Sequence, residues 1–568
     1  MLAVILCWTL ITIVSYSFGR LFLILTKQLT KENLSYSFFD TFFIGLSVVG
    51  SITCITSLFF PSGIIVAGVF MAISVLYLLF DCKYLKKYAL NIGVKYRRMS
   101  RFQILLILFF ALIFSSYAIL PPQWPDTFYY HIQNVMWNEE YRVVPGLANL
   151  IEQFGFNSNF FLLSSVFALK PLFGQCVYGV NALCLFILFI YVVSLASQQI
   201  NRLLVLFAIV LIGSLFFIYK NHIGSLSTDI LPNLLIVYLL INILTNPQNI
   251  HEKRVLFWLL PVYCVTLKLS SVFACLVIFY IAWYLLKEKD TKKIVYILIC
   301  SFIIILPWLV RNIMITGYVI YPFPAIDLFS FDWKIPIEYV VESKGYVEAY
   351  AITEKAMNRP NEEVFAWPFM YKLSLWIKEK SLFENAVTLL AIISALFTTI
   401  ALLVSKKLKS KENAPLVIFW LVNLAGFLFW LLMAPDVRFG MAFILSVISI
   451  PIYLLLKDSV FEGKASVPVM KSLFVLICLI AFILSVRYFI SVKDPGKPLH
   501  SILIVPENLA NTFDNHFQQI SVQRINNLEF HKPKTSCLDC ELPCSPRPVD
   551  NIEMRGVSLQ DGFRQKKN

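Results

Sequence analysis

Long apolar runs, each broken by a short polar stretch, recur along almost the whole chain. Many reach the roughly 20 residues a helix needs to cross a bilayer. Helices are expected near 2–26, 38–60, 63–82, 102–120, 177–198, 203–219 and 229–245. Others are expected near 255–267, 270–286, 294–312, 384–404, 416–434, 439–456 and 471–490. The expected fold class is an all-α polytopic membrane bundle of about fourteen helices. A β-barrel is excluded, because its strands would show only weak alternation over about ten residues. The 255–267 run is short for a span and is expected to tilt or re-enter.

Composition agrees. Of 568 residues, 58% are hydrophobic and 14% charged, with a mean hydropathy of +0.74. A soluble chain of this length needs more polar surface to cover its core. The net charge of +14 would suit nucleic acid, but the basic residues are grouped in short loops between apolar runs. Lys83, Lys86, Lys87, Lys95, Arg97, Arg98 and Arg101 fill one loop; Lys287, Lys289, Lys292 and Lys293 a second; Lys406, Lys407, Lys409 and Lys411 a third. That grouping places these loops in the cytoplasm and argues against a nucleic-acid partner. Both chain termini then lie outside. The first run, 1–26, lacks a basic leader and a small-residue cleavage site, so it reads as a retained helix.

Three outside segments are long. In 121–176, the part 126–141 has helical apolar spacing and is expected as a helix on the membrane surface, with 159–173 as a second one. Segment 313–383 has nine acidic and seven basic residues and is expected to fold as a small cap. The tail 491–568 is rich in Asn, Gln and Pro. The chain thus divides into 1–101, N-terminal helices with a basic loop; 102–330, a membrane module with the long outside loop; 331–383, an extracytoplasmic loop or cap; 384–490, further helices; and 491–568, an extracytoplasmic tail containing cysteines.

Candidate chemistry lies at the outer ends of helices. Asp126, in WPDTFYYH, is placed either to cap the following helix or to serve as a general base. Trp124, Tyr129, Tyr130, His131 and Trp137 stand around it, and Tyr130 and His131 are substrate-binding candidates. His131 suits a phosphate, a metal or a sugar hydroxyl, or plain hydrogen bonding. Asp229 opens a helix on the same face, as a cap or as a second carboxylate. Asp126 and Asp229 together could hold a divalent cation such as Mg or Mn. Lys268, Arg311 and Arg438 are outward cations suited to a lipid phosphate. Their plainer readings are snorkelling, interface anchoring and, for Arg438, a pair with Asp436. Cys537, Cys540 and Cys544 could form a disulfide, or a zinc site with His531.

These segments together resemble the GT-C glycosyltransferases, which include the protein O-mannosyltransferases and the aminoarabinose transferase of lipid A. The resemblance rests on Asp126 in the long outside loop with FALKPLFG (167–174) after it, and on Ser227-Thr228-Asp229 opening a helix on that face. It also rests on LPWLVRN with ITGYVIYP (306–312 and 315–322), and on spans joined by outside loops. It covers about 102–330, with weaker support to 456. DTFYYH, PGLANLIEQFGFNSN, APDVRFG and the Cys tail resemble a bacterial subgroup of unassigned function. The chain departs in having three helices before the family's first span, and a single acidic residue where many members carry a pair.

The resemblance implies an inverting transferase in the bacterial cytoplasmic (inner) membrane, with its site on the extracytoplasmic side. The donor would be a polyprenyl-phosphate-linked sugar and the acceptor a cell-envelope glycan, lipid or protein. It implies Asp126 as the base; Lys268, Arg311 and Arg438 follow as phosphate ligands from the topology. The alternatives are a polysaccharide polymerase or ligase, and a transporter or flippase of lipid-linked saccharide. A transporter should carry internal repeats and midplane polar residues, whereas the polar residues here sit at helix ends.

Overall fold

The computed structural model describes residues 1–31, 35–81, 99–119, 125–197, 202–355, 359–405, 410–457, 476, 479–480, 482–487, 521–525, 528–533, 536–547 and 549–566. The basic residues at 83, 86, 87, 95, 97 and 98 and at 406, 407 and 409 lie outside these, as does most of the run near 471–490. The protein is mostly helical. In chain order the helices are α1 Leu2–Thr30, α2 Phe38–Thr56, α3 Ile64–Phe80, α4 Arg101–Ile119, α5 Ile132–Glu140, α6 Asn159–Val166 and α7 Lys170–Phe173. Next come α8 Val180–Ser197, α9 Arg202–Tyr219, α10 Ile230–Thr245, α11 Asn249–Glu252, α12 Arg254–Leu267, α13 Leu276–Lys287 and α14 Thr291–Thr316. The last are α15 Ile337–Ile352, α16 Asn361–Ala366, α17 Phe369–Glu379, α18 Leu382–Val404, α19 Ala414–Met433 and α20 Val437–Leu456.

Among the described residues, 10 helices are long and apolar enough to cross a membrane: α1, α2, α4, α8, α9, α13 with the turn before it, α14, α18, α19 and α20. α3, α10 and α12 are apolar but shorter. All thirteen fall where apolar runs were expected. α10 and α12 are enclosed by protein: nearly every residue of each is buried.

Local chemistry sets the packing. Ser37 and Asp40 form a reciprocal cap at the start of α2, satisfying two otherwise orphaned donors. Asp40 is fully buried, and its carboxylate also accepts from Tyr238 (2.5 Å) and pairs with Lys253 (2.9 Å). α1 and α2 approach closely where Ser15 and Gly19 meet Thr41 and Gly45. A Cβ on Gly45 would strike the Ser15 carbonyl oxygen, and one on Gly19 that of Thr41. Small residues four apart let membrane helices touch backbone to backbone.

The three long segments outside the bundle pack into one layer. Trp137, Leu147, Ile151 and Phe154 share a core with Tyr318, Tyr321 and Ile335, and with Phe530, Ile552 and Phe563 of the tail. The tail adds two small antiparallel sheets that the all-α expectation lacks. β1 Ser521–Ile525 pairs with β2 Leu528–Lys532, and β3 Ile552–Met554 with β4 Phe563–Gln565. The Phe563 N–H donates to Pro145 (3.0 Å), and Arg555 pairs with Asp332 (2.8 Å). A disulfide joins Cys537 and Cys544, while Cys540 is a buried free thiol. This takes two of the zinc candidates.

Two expectations are corrected. Residues 126–141 do not form a helix lying on the membrane surface. Thr127–His131 is a π turn leading into α5, and Ile132–Asn138 is buried throughout. The side that would meet water is covered, because Gln133 donates to the carbonyls of Leu538 (3.1 Å) and Cys540 (2.8 Å) in the tail. The stretch 159–173 is likewise not one interfacial helix. α6 is wholly buried, the chain breaks at Leu169 in a left-handed conformation, and only α7 is exposed.

Candidate functional site

The π turn carries the principal candidate. Asp126 sits at its start, exposed, and makes no side-chain cap to the turn. The side-chain capping role is thus absent. π turns are rare and recur at functional sites. The tail holds this turn from the other side: the Leu538 N–H donates to the Phe128 carbonyl at 3.2 Å. Arg547 donates to the Tyr129 hydroxyl (3.0 Å) and ion-pairs with buried Glu152.

His131 is buried at the end of the turn, 4.4 Å from the Tyr130 ring and 5.2 Å from Phe161, centre to centre. Burial pushes its imidazole down to about 4, against the opposing pull of Asp126 and Asp229 and with a smaller push from Lys268. It is therefore a neutral hydrogen-bonding group at neutral pH, and not a cation for phosphate. The Tyr130 phenol is pushed well above its ordinary value by burial, with Asp126 and Asp229 adding to the shift. Both side chains thus lie within electrostatic reach of two carboxylates about a hundred residues apart.

Asp229 is brought there by α10. It does not cap the helix with its side chain; instead its own N–H donates to the Ser227 hydroxyl (3.3 Å). The carboxylate is left to ion-pair with Lys268. Lys268 is an extended residue between α12 and the 3-10 turn Leu269–Cys275, so its side chain emerges at a helix break. Asn233, one turn into α10, donates to the Arg438 carbonyl (3.2 Å) and accepts from the Ala442 N–H (2.8 Å). Tyr219 of α9 donates to the same Arg438 carbonyl at 2.6 Å.

These bonds bring α20 to α10 and place Arg438 in the group. Its guanidinium donates to Asp436 (3.0 Å), which also pairs with Lys380 (2.8 Å). The local pairing of Arg438 with Asp436 is therefore present. Lys268 Nζ lies 3.7 Å from the centre of the Phe439 ring, and the Arg438 guanidinium carbon 5.4 Å from the same ring. Two cations read separately in the sequence are thus gathered on one aromatic ring.

Arg311 is not part of this group. It is 3% exposed and donates to Ser57 (2.8 Å), Asn138 (2.8 Å) and Asn157 (3.1 Å). Its fork ties α14 to α2 and α5, and its donors face neutral protein acceptors rather than a ligand. Asp126 and Asp229 do not fit a metal site, since Lys268 occupies Asp229. Among the described residues, no three His, Cys, Asp or Glu side chains are grouped to hold a metal ion.

Four residues were not singled out by sequence. Tyr346 and Tyr350 of α15 both feel the charge of Asp126, and Tyr350 also that of Arg438 and Asp436. His222, buried beyond α9, lies within reach of Arg438, Asp229 and His131. Lys380 holds Asp436. None sits in a motif, and only the spacing of Tyr346 and Tyr350 on one helical face was available as a signal. Residues 1–445 match the model of the family described as domain of unknown function DUF8201. The chain belongs to that family. Every residue of the candidate group lies inside the matched stretch, while the tail that grips the π turn lies beyond it. No curated protein and no solved structure matches the chain.

Proposed function

We propose that this protein is a membrane glycosyltransferase. In this reading it moves a sugar from a polyprenyl-phosphate donor to a hydroxyl of a cell-envelope acceptor, at the extracytoplasmic face of a bacterial cytoplasmic membrane. The observation that carries it is the exposed Asp126 carboxylate on a π turn, grouped electrostatically with Tyr130, His131 and the Asp229–Lys268 pair.

The chemistry follows from the side chains. The acceptor oxygen attacks the anomeric carbon and its proton passes to Asp126. The bond from that carbon to the phosphate oxygen breaks, and the electron pair leaves with the phosphate. Attack opposite the leaving group inverts the anomeric centre. Lys268 and Arg438 are the cations offered to the leaving phosphate, and charge stabilisation there is usually the largest catalytic contribution. Each is held by a carboxylate, Asp229 or Asp436, which fixes it in place and limits its net charge. Neutral His131 and the protonated Tyr130 phenol serve as hydrogen-bonding groups for sugar hydroxyls.

The test is Asp126→Asn. The variant should fold and enter the membrane, since the carboxylate makes no cap, yet lose transfer by roughly 100-fold or more. Mass spectrometry of envelope glycans with and without the protein supplies the product, and purified protein with the lipid-linked donor supplies the rate. Retention of more than about a tenth of the parent rate removes Asp126 as the base.

A further inference from the structure

We propose that α17 is a membrane-surface helix whose Phe369, Met370, Leu373 and Ile377 face sits in the lipid interface on the Asp126 side of the bundle. At about 100° per residue these four positions fall within roughly a quarter to a third of the helix circumference. They are well exposed, Phe369 at 71% and Met370 at 70%. The remaining arcs have other occupants. Leu375 and Trp376 are buried; the Trp376 indole donates to the Pro435 carbonyl at 2.7 Å. Glu379, on the same side, accepts from Thr353 (2.7 Å) and the Glu354 N–H (2.9 Å). Tyr371, Ser374 and Lys378 occupy the third arc, which is polar. The helix thus has a protein side, a water side and an apolar side.

Continuity says what covers the apolar side. Only Lys380 and Ser381 separate α17 from the membrane span α18, and Ser381 caps that span reciprocally with Glu384. The first residue of the span, Leu382, is 87% exposed, and Leu389, Ile393 and Leu396 continue an exposed apolar face down the helix. α17 therefore lies at the depth where the span begins, with its apolar arc turned to lipid. Lys378 on the neighbouring arc and the Trp367–Tyr371 ring pair at its start (5.3 Å) suit the headgroup layer. The segment expected as a small cap thus ends in a lipid-bound helix. Through Trp376 and Lys380 that helix holds the Pro435–Asp436 turn beside Arg438. On the proposed function, this seat borders the point where a lipid-linked donor arrives.

A photo-crosslinking amino acid, p-benzoylphenylalanine, placed singly at Met370 or Leu373 tests the seat in the full chain. The protein is reconstituted in phosphatidylglycerol-containing vesicles, irradiated and analysed by mass spectrometry. Leu389 serves as the lipid-facing control and Lys378 as the water-facing one. All four side chains are exposed, so the replacements leave the packing alone; Ile377 provides a further position if one chain is not monodisperse. Lipid adducts at Met370 and Leu373 comparable to those at Leu389, and few at Lys378, are expected. Adducts at Leu389 with none at Met370 and Leu373, or adducts there to another polypeptide, overturn the proposal. The readout needs no enzymatic turnover, so it fails or succeeds separately from the transferase reading.

Discussion

Replacing Arg311 with alanine should unfold the protein's packing rather than weaken a substrate. Three donors of one buried guanidinium reach Ser57, Asn138 and Asn157 at 2.8, 2.8 and 3.1 Å. Hydrogen bonds to a charged group contribute about 1.5–3 kcal/mol each. They are not additive, water would reach part of the cavity, and removing the buried charge returns part of its desolvation cost, so a net loss of about 4 kcal/mol is expected. Against a typical stability of about 5–15 kcal/mol that is a large fraction. The melting temperature should fall by about 3 °C, because the unfolding entropy grows with chain length. Arg311→Lys should recover little, because one ammonium cannot span three acceptors placed for a planar fork. The assay is thermal unfolding in detergent, followed by size-exclusion chromatography, with donor titration on whatever remains folded. An Arg311→Ala protein that melts within about 1 °C of the parent and still loses donor dependence would refute the scaffold role and restore Arg311 as a phosphate ligand.

Gly45→Val should block the seating of α1 on α2, since its Cβ alone meets the Ser15 carbonyl; chromatography should show loss of monodisperse protein. Arg547→Ala should free the tail, strand the buried Glu152 charge and cost about 1–3 kcal/mol. Limited proteolysis between 536 and 566 should accelerate, and Glu152→Gln in the same chain should restore part of the protection. Burial raises the Glu139 carboxyl from 4.5 to about 7, against the pull of Lys170. The folded chain then holds a proton that the unfolded chain releases, so stability should fall as pH rises from about 4.5 to 7 and level off above. Glu139→Gln should flatten that slope in melting curves taken at several pH values.

The sequence made the spans legible because their signal is local. An apolar run of membrane length has few other solutions, and even the short 255–267 run emerges as α12. Pairing is a different matter. Arg311 and Arg438 look alike in the chain, each an arginine near a helix end. The partner of Arg438, Asp436, stands two residues away and was legible. The partners of Arg311, Asn138 and Asn157, stand 173 and 154 residues away. Nothing in composition or periodicity distinguishes an amide that will accept from arginine from one that faces water. The grip of the tail on Gln133 and Tyr129 was hidden for the same reason.

The π turn shows why a list of candidate residues is not yet a site. On a regular helix, five steps at about 100° each put His131 roughly 140° round from Asp126. The two would then point to different neighbours. In the structure the Ile132 N–H bonds back to Thr127, five residues earlier, rather than four. A turn closed at i→i+5 carries an extra residue and brings the fifth side chain back toward the first. That irregularity lets an exposed carboxylate and a buried imidazole act on each other, while Asp229, just before α10, acts on the same imidazole. A π turn has no strong sequence signature of its own. It survives here because Leu538 and Arg547 hold the turn from one side while Phe161 packs on His131 from the other. The candidate site is thus a product of three distant segments fixing one backbone irregularity, and the carboxylate on it is the part that sequence alone could name.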